Sequence, residues 1–327
     1  MRPFTYTGTT NRNEALKAFT TTSHYLSGGT NLVDLMKEHV EQPDQLIYVK
    51  NLQYNGISKN KDGSYTIGAM RSNADTANHK DIRLYYPLLS MAMLSAATAQ
   101  IRNMATNGGN LLQRTRCPYF FETSMPCNKR EPGSGCGAID GIAHLHAVLG
   151  TSPSCIATYP GDMAVALSAL DATVEIASPD SDERSVPVRD FHLLPGDTPW
   201  RDNVLERGEI ITAVTLPRPV KAKHLYRKVR ERSSYAFALV SVAAIAAVED
   251  GVIARADLAF GGLAHKPWHD PRLSELLVGE APSAALFDKA ADLLLEGARG
   301  YGENDFKIPL ARRTLAAVMA EATEIEI

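Results

Sequence analysis

Between Arg114 and Ser154 the chain is denied helix and strand over most of its length by Pro118, Pro126, Pro132, Gly133, Gly135, Gly137 and Gly141. An irregular segment of that size sits badly in a compact domain unless something clips it together. All four cysteines of the chain, Cys117, Cys127, Cys136 and Cys155, lie in or beside this segment. Four thiols in so short a span point first to a metal centre, with buried structural thiols and disulfides as competing readings. A chain of 327 residues without an export signal keeps its thiols reduced, which weighs against disulfides. The spacing C-x9-C-x8-C-x18-C contains no close C-x2–4-C pair of the kind structural zinc uses. A four-iron cluster tolerates dispersed thiolates, so the spacing leans toward iron over zinc. Arg114, Arg116, Lys129 and Arg130 would offset a net-negative thiolate cluster, although a solvated loop explains them equally well. With four thiols at hand, His144 and His146 read as surface or packing residues.

Two glycine loops precede this region in sequence. Ser27-Gly28-Gly29-Thr30-Asn31 stands between a strand and a helix, and Thr106-Asn107-Gly108-Gly109-Asn110 repeats its composition beside a second helix. Glycine permits close backbone approach there, and a following helix points its positive end at an anion. A hairpin or helix-cap glycine explains one such loop; two matching loops suggest the two sides of one pyrophosphate. Gly133-Ser-Gly135-Cys-Gly-Ala138 satisfies G-x-G-x-x-[GA], but it follows an irregular stretch and so lacks the strand that the dinucleotide fingerprint needs. No Walker motif occurs, and no Ser/His/Asp, Cys/His or paired-carboxylate catalytic set stands out.

The chain is 44% hydrophobic and 22% charged with a net charge of -3, enough apolar material for a core and no footprint for nucleic acid or an anionic membrane. The N-terminus lacks an apolar signal region, and the longest apolar run, 237–248, is far too short to span a bilayer. The expectation is a cytoplasmic fold without membrane insertion, or periplasmic delivery by co-export with a signal-bearing partner.

Apolar periodicity and breakers predict a helix over 14–20 capped by Asn13, a helix over 32–40, and strands at 46–49 and 65–69. Asn73 or Asp75 caps a short helix, and Pro87 opens a long one through Met104. Further on come a helix at 162–170, strands at 172–177 and 210–216, and loops with one short strand over 178–207. Strands at 224–229, 237–248 and 252–260 follow, then helices at 284–296 and 311–322. Asp162 reads as a helix N-cap and Lys228 as a solvated strand residue.

Several stretches together resemble the FAD-binding medium subunit of the xanthine dehydrogenase family of molybdenum hydroxylases. They are Leu26-Ser27-Gly28-Gly29-Thr30-Asn31-Leu32, Ile101-Arg102-Asn103-Met104-Ala105-Thr106-Asn107-Gly108-Gly109-Asn110 and Tyr159-Pro160-Gly161-Asp162-Met163. Arg207-Gly208-Glu209-Ile210-Ile211 and Tyr226-Arg227-Lys228 match further along, so the likeness runs end to end. Most members have no insert after the second glycine loop. The cysteine segment looks like the iron–sulfur insertion of a smaller branch, which includes flavin subunits of aldehyde oxidoreductase and of 4-hydroxybenzoyl-CoA reductase.

The resemblance implies an α+β protein: a two-subdomain FAD-binding fold of the vanillyl-alcohol-oxidase-like (PCMH) type, then a C-terminal antiparallel three-stranded sheet with helices. Its divisions would be 1–56, 57–220 with the insert at about 111–157, and 221–327. It implies an FAD site of Leu26, Ser27, Gly28, Gly29, Thr30, Asn31 and Leu32 with Asn103, Thr106, Gly109 and Asn110. Ala97 would lie near the cofactor, Asp162 would hydrogen-bond its polar groups, Ile210 or Ile211 would pack on the isoalloxazine, and Lys228 would stand near its rim. Cys117, Cys127, Cys136 and Cys155 would ligate a [4Fe–4S] cluster. The implied function is electron transfer from the [2Fe–2S] centres of a small subunit to FAD and on to an external acceptor. Aldehyde oxidation would occur on a separate molybdopterin-binding large subunit. A 4-hydroxybenzoyl-CoA reductase-like flavin subunit, a stand-alone flavin oxidase and a zinc-braced assembly subunit are the alternatives.

Overall fold

The computed structural model describes residues 1–179 and 183–326. Strands β1 (Thr5–Gly8), β2 (Ser23–Leu26) and β3 (Gln45–Tyr48) form a small sheet in the order β1-β3-β2, with β3 parallel to both neighbours. Parallel neighbours need crossovers, and α1 (Arg12–Ala18) and α2 (Leu32–Lys37) supply them. Asn11, not Asn13, caps α1: its side chain accepts from the N–H groups of Asn13 and Glu14 at 2.8 and 3.3 Å. The two asparagines are alike in type, but only Asn11 has the extended backbone that turns the chain into the helix.

The second sheet is antiparallel, with β4 (Ile57–Lys59), β5 (Tyr65–Gly68), β6 (Thr173–Ala177), β7 (Arg184–Pro187) and β8 (Ile210–Leu216) in the order β4-β5-β8-β6-β7. Between β5 and β6 run α3 (Asn73–Ala77), α4 (Lys80–Tyr85), α5 (Pro87–Ser95), α6 (Ala99–Met104), α7 (Asn107–Leu111), α8 (Pro118–Phe121) and α9 (Asp162–Ala169). Ser72 caps α3, accepting from Asp75 N–H at 3.0 Å, so neither Asn73 nor Asp75 does. The long helix expected over 87–104 is two helices. Ala97 turns left-handed at φ 49°, and the Thr98 hydroxyl then caps α6 from outside at 3.3 Å. The stretch 178–207 holds one short strand among loops, as expected, in β7, and adds the one-turn α10 (Val188–Phe191); its residues 180–182 lie outside the described ones.

The chain closes on an antiparallel sheet, β11-β10-β9, built from β9 (Lys223–Val229), β10 (Val240–Glu249) and β11 (Val252–Gly261), with α11 (Pro271–Leu277), α12 (Ala284–Leu294) and α13 (Lys307–Thr323). The α+β class and this final sheet with helices are as expected. Side chains of β10 alternate between two cores, as the pleat requires. Ala243 and Ile245 join the core of the first two sheets, whereas Val240, Val242 and Ala244 join that of α11, α12 and α13. The apolar residue Phe237, expected in β10, precedes it and lines a cleft instead.

Candidate functional site

The two glycine loops meet. Loop 27–31 links β2 to α2, whereas the second glycine stretch, expected as a loop beside a helix, is the start of one: Thr106 caps α7, which runs over Asn107–Leu111. Gly28 allows the approach: a Cβ there would stand 2.8 Å from the Met104 carbonyl carbon and 3.1 Å from Ala105 Cα, with the carbonyl oxygen nearer still. Gly29 turns left-handed at φ 71°, a conformation that favours glycine. Thr106 Oγ1 donates to Ser27 Oγ at 3.0 Å and also caps α7 by accepting from Gly109 N–H.

An amide lattice fixes the second loop from below. Asn107 donates to Gly68 O at 3.1 Å and to Thr76 Oγ1 at 2.9 Å, Asn73 donates to Asn107 Oδ1 at 3.0 Å, and Asn110 donates to Asn73 Oδ1 at 2.8 Å. Asn31 Oδ1 accepts from Arg114 N–H at 2.9 Å, while its buried Nδ2 has no partner in the protein.

A cleft of about 880 Å³ opens between these loops and the final sheet. Leu26, Ser27, Gly28, Gly29, Thr30, Asn31, Leu32, Ala97, Thr106, Gly109, Asn110, Asp162, Ile210, Ile211 and Lys228 all line it. Asn103 does not: it is exposed on α6, outside the lining. The orphaned Asn31 amide and the glycine cradle fit a polar, phosphate-bearing ligand.

Asp162 and Lys228 correct two default readings. Gly161 occupies the cap position of α9. The Asp162 carboxylate instead accepts from Lys228 Nζ at 2.8 Å and from the Tyr226 hydroxyl at 2.6 Å. Both charged side chains are nearly closed to water, at 5% and 4% exposure. Burial pushes the Asp162 carboxyl upward, against the opposing pull of Lys228, Tyr226 and Arg230. The pair therefore pins β9 to α9 across the cleft floor. Sequence reasoning missed Arg116, Tyr235 and Phe237, which also line the cleft. The sequence identifies Arg116 only as a cation near the thiols and Phe237 only as a strand residue, because nothing in their own windows marks a cleft.

The cysteine segment borders the cleft. All four thiols are free. Cys127 and Cys136 face each other on an isolated antiparallel bridge. Burial pushes the Cys117 thiol up to about 12, with Cys127 and Cys155 near enough to add to the shift. Burial likewise raises Cys155 to about 11, with Lys129 opposing and Cys136 and Cys127 adding. Among the described residues no three His, Cys, Asp or Glu side chains form a group that could hold a metal ion. His146 is buried, with Nε2 3.1 Å from Cys117 Sγ, whereas His144 is half-buried and pairs with Glu231 at 2.7 Å.

The cations of this segment are mostly committed elsewhere. Arg114 pairs with Glu41 at 2.6 Å and Asp202 at 2.8 Å, Lys129 pairs with Asp202 at 2.5 Å, and Arg130 donates to the Tyr119 and Phe120 carbonyls.

The family described as the FAD binding domain in molybdopterin dehydrogenase matches residues 2–219, and the CO dehydrogenase flavoprotein C-terminal domain matches 224–322. The chain is 50% identical over 301 residues to the aldehyde oxidoreductase FAD-binding subunit PaoB of Escherichia coli K12, covering 91% of each chain. It is 28% identical to the nicotinate dehydrogenase FAD-subunit of Eubacterium barkeri, covering 78% of this chain and 71% of that one. In fold it is similar to reconstituted CO dehydrogenase from Oligotropha carboxidovorans, with a TM-score of 0.76, 21% identity and all of both chains covered. Quinoline 2-oxidoreductase from Pseudomonas putida 86 gives a TM-score of 0.75 at 22% identity, with 98% of this chain and 97% of that one covered. With two matching domains in order around a glycine-lined cleft, the chain belongs to the FAD-binding medium subunits of the xanthine dehydrogenase and CO dehydrogenase family.

Proposed function

We propose that this chain is the FAD-carrying electron-transfer subunit of a molybdenum-dependent aldehyde oxidoreductase. The observation that carries the reading is the 50% identity to PaoB over 91% of both chains. The partners would be a molybdopterin-binding large subunit, where the aldehyde is oxidised, and a small subunit with [2Fe–2S] centres. Bound in the cleft, FAD would supply the exchange of electrons between those centres and an external acceptor.

The protein's own task is to hold and orient. The N–H groups of 27–31 and 106–110 would bind the diphosphate and ribityl, with Leu26 and Leu32 flanking them and Ala97 close by. Asp162 would hydrogen-bond a polar edge of the cofactor, Ile210 and Ile211 would back the ring, and Lys228 would stand near its rim. Asp162 and Lys228 are locked to each other, and so neither is a free acid or base for substrate. That supports a partnered subunit over a self-sufficient oxidase. The compartment would be the cytoplasm, or the periplasm by co-export.

Cys117, Cys127, Cys136 and Cys155 would ligate a [4Fe–4S] cluster. Two things support this: the likeness of the segment to the iron–sulfur insertion, and thiols near enough to bear electrically on one another. Loading would release the protons that burial keeps on Cys117 and Cys155.

Pulling down the intact complex and assaying molybdenum tests the function; a complex without molybdenum refutes it. The isolated chain should show flavin absorbance and about four irons, and flavin without iron would remove the cluster from the reading. Cys127→Ser should release iron, and retained flavin reduction by substrate in the complex would then assign the cluster a bracing role.

A further inference from the structure

We infer that the Arg116 guanidinium is a third arm of the grip on FAD, a cation lent by the cysteine segment to the cofactor's diphosphate. It lines the cleft, and among the described residues it forms no ion pair; Asp34, Tyr159 and Tyr235 bear on it only at longer range. One of its nitrogens donates to Arg114 O, and the N–H of Arg114 donates in turn to Asn31 in the first glycine loop. On the other side, Tyr159 donates to the Asn110 carbonyl of the second loop at 3.1 Å. Arg116 is thus tied to one loop and neighbours the support of the other. The Phe237 ring lies 5.0 Å from the guanidinium carbon and covers one face, leaving the edge for a ligand.

Two neighbouring cations on these walls are already neutralised, Arg114 by Glu41 and Asp202 and Lys228 by Asp162; Arg207 and Arg232, which form no ion pair among the described residues, are exposed, and the half-buried Arg102 is turned to the Ala96 and Ala97 carbonyls. Arg116 differs in being partly buried beside the Phe237 ring with no carboxylate in contact. A partly desolvated, unpaired cation costs free energy until an anion meets it. The two loops present only neutral donors to a charged diphosphate, and the planar fork of arginine matches phosphate oxygens two at a time. The Asn31 Nδ2 atom, buried and unpartnered, points to the same missing ligand.

The inference rests on the cleft holding FAD. If that reading fails, the wild-type chain itself binds no flavin; if only the inference fails, wild-type binding is intact and the variants match it. The test titrates FAD into deflavinated full-length wild type, Arg116→Gln and Arg116→Lys by flavin fluorescence, at low and high salt. Circular dichroism and thermal melting confirm that each variant is folded. Arg116→Gln should weaken FAD binding about tenfold to a hundredfold and flatten its salt dependence. Arg116→Lys should keep most of the affinity. Unchanged affinity in Arg116→Gln overturns the inference, even if the flavin potential moves, as does an equal loss in the glutamine and lysine variants. If Arg116→Gln does not fold, the lysine variant decides alone: affinity within a few-fold of wild type supports the charge, and a tenfold loss overturns it.

Discussion

Replacing Gly28 by alanine tests the contact on which the cleft depends. The new methyl would start 2.8 Å from the Met104 carbonyl carbon, where ordinary contact begins at 3.4 Å, so the two loops must separate by at least 0.6 Å. The obstacle is backbone on both sides, and no side chain can swing away. Overpacking of this kind costs roughly 1–3 kcal/mol. The separation also stretches the 3.0 Å bond between Thr106 and Ser27, worth about 1 kcal/mol. The expected total of about 2–4 kcal/mol corresponds to a fall in Tm of roughly 4–8 °C. Because the same two loops would embrace the diphosphate, FAD affinity should drop by more than the tenfold that about 1.4 kcal/mol represents. Differential scanning fluorimetry and FAD titration of the deflavinated protein read the two effects. Gly56→Ala, where a Cβ meets nothing within 4 Å, is the control. A Gly28→Ala protein with wild-type Tm and wild-type FAD affinity would refute the reasoning.

Lys228→Met strands the Asp162 carboxylate at 5% exposure and should cost about 3 kcal/mol; an unchanged denaturant midpoint would count against the pair. Asp202 supplies a pH test. Burial alone would raise its carboxyl, but Lys129 and Arg114 outweigh burial and hold it well below the usual carboxylate range. Its contribution is therefore complete above the unfolded value of about 3.9 and drains away as pH falls below it. Wild type should lose Tm more steeply than Asp202→Asn between about pH 5 and about pH 2, and parallel curves would refute the assignment.

Much of this fold was legible because its signals are local. Gly28 and Gly29 lie between a short strand and an amphipathic helix, and the Asp250-Gly251 turn separates two apolar runs that pair along most of their length. The break at Ala97 was not legible, since alanine is the best helix former and nothing beside it announces a left-handed turn. The roles of Asp162 and Lys228 were hidden for another reason. Each looks ordinary in its own window, and only tertiary contact across 66 residues makes them a buried pair. The cations of the cysteine segment misled in the same way: Arg114 and Lys129 converge on Asp202, more than 70 residues downstream.

Asn304 and Lys307, at the entry to α13, grip the carbonyls of residues 145–147 from about 160 positions away: Asn304 bonds to His146 and Ala147, and Lys307 to Leu145 and His146. On the ribosome these acceptors emerge long before their donors. At about 5–20 residues per second the wait lasts roughly ten to thirty seconds, during which the thiol-bearing stretch has no lid from its own C-terminus. If the proposed cluster is inserted during synthesis, its loading has that interval in which to act.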